Sequence, residues 1–275
     1  MPDSTAALEG FTESAFTHEG VTRPVFSAGT GPAVIVIAEM PGLHPGVIDF
    51  ARRVVERGFH VRMPSLFGTP GRAVSTPYVI SSITSGCVSR DFATWALDRT
   101  SPITVWLRGL AADAHTACGG PGVGAVGMCF TGGFALGMML DDTMQAPVLS
   151  QPSLPFAIGK RRRAAIGISD ADLEALKQRT AHGACVMGLR FTADRMVPGD
   201  RFDTLRRELG DGFIAVEIDS SKGNPHGIGR IAHSVLAQDF VDEPGHPTRD
   251  ALERVLAFFD ERLRSELRPG AENGS

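Results

Sequence analysis

A chain of 275 residues, 43% of them apolar, can bury a sizeable core, and its net charge of -4 gives nucleic acid or an anionic membrane no electrostatic foothold. Its four cysteines, at 87, 118, 129 and 185, share no C-x-x-C spacing, which argues against a zinc site or a disulfide framework and fits reduced thiols in a cytoplasmic protein. No apolar run reaches the length of a membrane span, and Met1 to Glu13 lacks the basic and apolar regions of a signal peptide.

In chain order, residues 1–13 read as a frayed tail. Ala15 to Ser27 alternates weakly around a Glu19-Gly20 turn signal and predicts an opening hairpin. Val34-Ile35-Val36-Ile37-Ala38 is a continuous apolar run, as expected of a strand buried on both faces. A helix follows Pro45, with Val47, Ile48, Ala51, Val54 and Val55 on one face and Gly58 at its end, and His60 to Met63 starts the next strand. Residues 65–95 are rich in Gly, Pro, Ser and Thr and predict a long irregular loop near the site. Ser101-Pro102 opens a helix whose buried stripe is Ile103, Trp106, Leu107, Leu110 and Ala114.

Val123 to Met128 predicts a strand and Phe130 to Leu140 a helix, with Cys129 between them. Three further strands are expected at Ala146 to Leu149, Ala184 to Leu189 and Phe213 to Ile218. Helices are expected after Ser169, over Asp200 to Leu209 with Asp200 as cap, and over Arg249 to Leu267, before a frayed tail at 268–275. No repeat or linker divides the chain, so residues 1–275 form one domain. The alternation predicts an α/β, doubly wound, mostly parallel sheet with helices on both faces.

In such a sheet ligands sit beyond the carboxyl ends of the strands, so polar residues just after strands are the candidates for chemistry. They are Glu39, Cys129, Asp194, His226 and His233. A strand that ends in Gly-x-Cys and turns at once into a glycine-containing helix start has the pattern of a nucleophile elbow. Such a turn lifts the side chain clear of the sheet, beside N–H groups that favour a thiolate and a developing oxyanion. The order nucleophile, acid, histidine matches a triad of Cys129, Asp194 and one of the two histidines, His233 or His226. An imidazole can take the proton of the thiol, and an aspartate on its far nitrogen fixes the tautomer. The competing reading of Cys129 is an inert packed cysteine. Lys160-Arg161-Arg162-Arg163 reads as a solvated run. No histidine spacing suggests a metal, and no cofactor is implied.

Ala38-Glu39-Met40-Pro41-Gly42, the Gly-x-Cys elbow, and the Asp-x-x-Val-Pro segment followed by His233-Ser234 together resemble the dienelactone hydrolase family, over most of the chain from Val34 onward. The resemblance implies an α/β-hydrolase fold and a carboxylic ester hydrolase acting on a small-molecule ester or lactone through an acyl-cysteine. It also implies Cys129 as nucleophile, His233 as base, Asp194 as its orienting acid, and Glu39 as a carboxylate contacting the thiol. The backbone N–H groups of Met40 and Phe130 would form the oxyanion hole.

Two departures stand out. The position two residues after the cysteine, glycine in the family, is Thr131, and the family's substrate-binding arginine four residues after the histidine is replaced by Ala237. Arg90 in the long loop is the remaining candidate for a substrate carboxylate. These departures leave a second reading beside the first, a non-catalytic small-molecule-binding protein of the same fold.

Overall fold

The computed structural model describes residues 4–79, 81–82, 101–154 and 159–264. Strands β1 (Thr12–His18) and β2 (Val21–Ala28) form the expected hairpin. Its turn residues Glu19 and Gly20 both have positive φ, at 47° and 77°, the conformation that matches the twist of a two-residue hairpin. Six further strands complete one sheet: β3 (Ala33–Ile37), β4 (His60–Pro64), β5 (Val123–Met128), β6 (Met144–Ser150), β7 (Val186–Phe191) and β8 (Phe213–Ile218). The sheet order is β1-β2-β4-β3-β5-β6-β7-β8, antiparallel from β1 to β4 and parallel from there to β8. This is the α/β-hydrolase fold.

Each central strand feeds two cores, because side chains alternate faces. In β3, Val34 and Val36 point into one core and Ala33, Ile35 and Ile37 into the other. The first core is closed by helices α2 (Pro45–Glu56) and α8 (Pro247–Leu263), the second by α3 (Pro102–Cys118), α4 (Gly132–Met138) and α7 (Gly199–Leu209). Chain order places α1 (Ser4–Ala7) before β1, and α5 (Lys160–Ala164) and α6 (Asp170–Ala181) between β6 and β7.

The strand order reverses at β3. Its sequence successor β4 lies on one side and β5 on the other, so the crevice beyond Ile37 and Met128 is the topological switch point. Glu39 and Cys129 follow those two strand ends.

Several boundaries differ from the sequence reading. The chain after Cys129 begins as a 3-10 turn, Cys129–Thr131, before α4 starts at Gly132. Cys185 stands just before β7, half-buried, instead of inside a strand. Asp200 does not cap α7. Pro198 holds that position, and the Asp200 carboxylate, in the first turn, pairs with Arg163 at 2.8 Å. Ala7 and Glu9 are tied down where fraying was expected, since Arg52 Nη2 donates to their carbonyls at 2.8 and 3.0 Å. Ser101 and Ser169 cap their helices as the sequence predicts, accepting from Ile103 N and Asp172 N. No helix of the described residues is long and apolar enough to cross a membrane.

Phe259 of α8 is fully buried, edge-on to Phe59 with ring centroids 5.8 Å apart. Phe259→Ala is expected to destabilise the fold by about 3–5 kcal/mol, read from the midpoint of urea unfolding.

Candidate active site

The elbow is built by close backbone approach. A Cβ on Gly127 would overlap the Thr131 carbonyl oxygen, and one on Gly132 would press on Pro152. The chain therefore folds back within five residues, and Cys129 sits at its apex with φ 57°. That conformation is costly for a side chain with a Cβ and is found mostly where surrounding structure over-determines it.

Thr131, the departure from the family pattern, has a specific place here. Its hydroxyl oxygen accepts from Met128 N at 2.8 Å and lies 3.0 Å from the carbonyl of Ile37 and 2.7 Å from that of Met128. The hydroxyl thus pins the end of β5 to the end of β3 beneath the cysteine. What glycine leaves open, threonine fills with a buried tie.

The structure brings Asp194 and His233 together, with His233 Nδ1 2.6 Å from Asp194 Oδ2. Both ends of the pair are held. Asp194 Oδ1 accepts from Met196 N at 2.8 Å, while the Asp239 carboxylate accepts from the backbone N–H groups of His233 (2.8 Å) and Ser234 (2.9 Å). The imidazole's other nitrogen, Nε2, is buried. Cys129 is near enough to act on the ring. Burial opposes an imidazolium, but the charge of Cys129, the Asp194 hydrogen bond and the Cys129 sulfur as acceptor outweigh it and push the pKa of His233 up to about 11. The arrangement favours an imidazolium at His233. His226 is exposed on its loop, against the His246 ring at 5.5 Å, and not on Asp194.

Glu39 lies in the same buried region with other partners than the resemblance implies. Its Oε1 is 3.1 Å from His44 Nε2 and accepts from Ser234 Oγ at 2.5 Å, and its Oε2 accepts from Gln151 Nε2 at 2.7 Å. Burial works against its charge, but His44 by hydrogen bond and charge, Ser234, and the charge of His233 hold its carboxyl below the usual range. Among the described residues, the hydrogen bond that Cys129 Sγ makes is to Ser153 Oγ, at 3.0 Å. Among the described residues Glu39 makes no hydrogen bond to the thiol, and three other donors engage its carboxylate.

Ser153, Gln151, His44 and Asp239 escaped the sequence reading, and Ser234 entered it only as the neighbour of His233. Gln151 and Ser153 follow β6, so searching every strand end would have found them. Gln151 also carries a positive φ of 37°. Arg90 and Cys87 lie outside the described residues, as do residue 80 and all of 83–95 of the long loop. Met40 directly follows Glu39, and Phe130 is the second residue of the 3-10 turn, its ring against Phe67 (5.4 Å) and Phe134 (6.1 Å). The Lys160–Arg163 run is exposed on α5 as expected.

Comparison with known proteins agrees with this architecture. The family model of the dienelactone hydrolase family matches residues 21–263. A dienelactone hydrolase-like promiscuous phosphotriesterase from metagenomic libraries superposes with a TM-score of 0.59 at 18% identity, covering 92% of this chain and 98% of its own. A dienelactone hydrolase of Anabaena variabilis ATCC 29413 gives 0.55 at 17%, covering 93% and 100%. Esterase 2 of Thermogutta terrifontis, phosphoramylated by tabun, gives 0.54 at 13%, covering 92% and 95%. At these identities the likeness establishes the fold alone. No curated protein matches the chain in sequence.

Two outcomes follow from the geometry. Thr131→Val keeps the shape but leaves Met128 N and the Ile37 carbonyl without their partner, so it should cost about 1–3 kcal/mol in chemical denaturation. In Cys129→Ala, two of the influences that raise His233 vanish, so an NMR titration of the imidazole should place its pKa more than about one unit below that of the unaltered protein.

Proposed function

Because the chain belongs to the dienelactone hydrolase family and is accordingly a hydrolase, we propose that it cleaves a small-molecule ester or lactone through an acyl-cysteine at Cys129. The observation that supports this most strongly is the joint placement of a positive-φ cysteine at the switch point and a part-buried His233–Asp194 pair whose imidazolium is favoured by the sulfur.

In this reading the Cys129 thiolate attacks the carbonyl carbon, a C–S bond forms, and the carbonyl π pair moves onto oxygen. The backbone N–H groups of Met40 and Phe130 receive that oxyanion. Collapse breaks the C–O bond, and the leaving alkoxide takes the proton on His233 Nε2. Neutral His233 then removes a proton from water, and the hydroxide attacks the thioester. The C–S bond breaks with its pair returning to sulfur, the carboxylic acid leaves, and the imidazolium–thiolate pair is restored. Asp194 orients the ring and stabilises its charged form throughout. Glu39 contributes here as a fixed negative charge near His233 and as the anchor of Ser234, beside the base.

Ala237 leaves uncharged the position where the family carries a substrate-binding arginine. The substrate class is therefore drawn broadly, as an ester or lactone, with no requirement for a carboxylate at that position. The test is turnover of a panel of aryl and alkyl esters, lactones and thioesters. Cys129→Ala and His233→Ala should each lower kcat/KM by roughly a thousandfold or more, and His226→Ala by less than about threefold. Equal turnover by the Cys129→Ala protein would overturn the nucleophile, and a larger loss in His226→Ala than in His233→Ala would move the base.

A further inference from the structure

The hydroxyl of Ser153 is 3.0 Å from Cys129 Sγ, and neither the proposed triad nor the oxyanion hole uses it. Four observations bear on it. The serine is buried, so water does not compete for its hydroxyl. It is clasped to the nucleophile twice, since its backbone N–H also donates to the carbonyl of Cys129 at 3.1 Å. Its loop is fixed, because the preceding carbonyl, of Pro152, accepts from the fully buried Arg201 at 2.7 Å, and Pro152 packs against Gly132 at the start of α4. Finally, no other hydrogen bond of the hydroxyl is present among the described residues. A thiolate has no proton to give, so beside one the Ser153 hydroxyl can only donate.

We propose that Ser153 is a catalytic residue that donates a hydrogen bond to the Cys129 thiolate and holds the sulfur in its anionic state. This rests on the reading of Cys129 as the nucleophile. Among the described residues, the charged groups around the sulfur are His233, with Asp194 acting on that imidazole and Glu39 under its influence, and Arg201 behind the Ser153 loop. His233 supplies the counter-charge, and Ser153 a neutral donor from the β6 side. When the sulfur's pair enters the C–S bond the Ser153 bond weakens, and when that bond breaks and the pair returns, the donor is already in place. No proton leaves the serine at any step.

The experiment is the pH dependence of iodoacetamide alkylation at Cys129, followed by peptide mass spectrometry so that the other thiols do not contribute. It reads the sulfur without a substrate. In Ser153→Ala the pH of half-maximal alkylation should move up by about one unit or more, because a charge-assisted donor is lost. Ser153→Thr, which keeps the hydroxyl, should titrate within about 0.3 unit of the unaltered protein, a difference that corresponds to only about a twofold change in the ionisation equilibrium. Should the alanine variant fold poorly, Ser153→Gly removes the same hydroxyl and takes its place. A Ser153→Ala (or Gly) profile that superimposes on that of the unaltered protein overturns the assignment, as does a threonine profile that follows alanine. Full ester turnover by Cys129→Ala would instead sink the underlying reading, while a shifted alkylation profile would still stand as evidence for the Ser153–thiolate bond.

Discussion

The site depends on one backbone constraint, the reversal of the chain between Gly127 and Gly132 that holds Cys129 at φ 57°. A cysteine prefers negative φ, and the departure costs on the order of 1–3 kcal/mol. Three contacts impose it. Gly127 lets the Thr131 carbonyl come close, the Thr131 hydroxyl ties β5 to β3, and Gly132 admits Pro152 from the β6 loop. Among the described residues, the non-glycine positions with positive φ are Glu19, Cys129 and Gln151. The first belongs to a hairpin turn, where such geometry is ordinary. The other two follow adjacent parallel strands and both reach into one buried cluster, so the strain is concentrated at the chemistry.

Around that point the electrostatics divide into two layers. The outer layer is the sulfur, Ser153, His233 and Asp194. The inner layer is Glu39 with His44, Gln151 and Ser234, all buried. A buried carboxylate without partners would protonate or destabilise the fold. Glu39 instead carries donors from α2's cap, the β6 loop and the histidine loop, and its carboxyl sits below its ordinary range. Because Ser234 is the neighbour of His233, this anchor also limits where the imidazole can lie. Glu39 thus links three strand-end segments, a geometric task beyond any contact with sulfur.

Much of this was legible in the sequence. Val34 to Ile37 and Val123 to Met128 are apolar runs bounded by turn residues, and buried parallel strands leave that signature. Order along the chain was enough to align Cys129, Asp194 and His233 with strand ends. What escaped has a common cause. His44, Gln151, Ser153 and Asp239 act through contacts between segments far apart in sequence, and no local period or motif marks them. Thr131 was visible only as a missing glycine, because its hydroxyl has meaning only once the Ile37 carbonyl is beside it. Glu39 was found by position, but its partners depend on which loops converge, and the thiol was not among them.

Arg201 shows what such convergence requires. Its side chain is fully buried, and its hydrogen bonds go to four carbonyls, those of Ala165, Pro152, Met196 and Arg162. Burial lowers its pKa to about 10, against the opposing charge of Asp194, so it stays charged near neutral pH. Burying a guanidinium without a carboxylate on it is unfavourable unless its donors are satisfied. An apolar residue could fill the same volume. It could not bond at once to the loop that carries Ser153 and to the loop that follows Asp194. The separation between the sulfur's donor and the histidine's acid is therefore fixed by one planar, charged group, and that geometric role gives a reason for its place in the core.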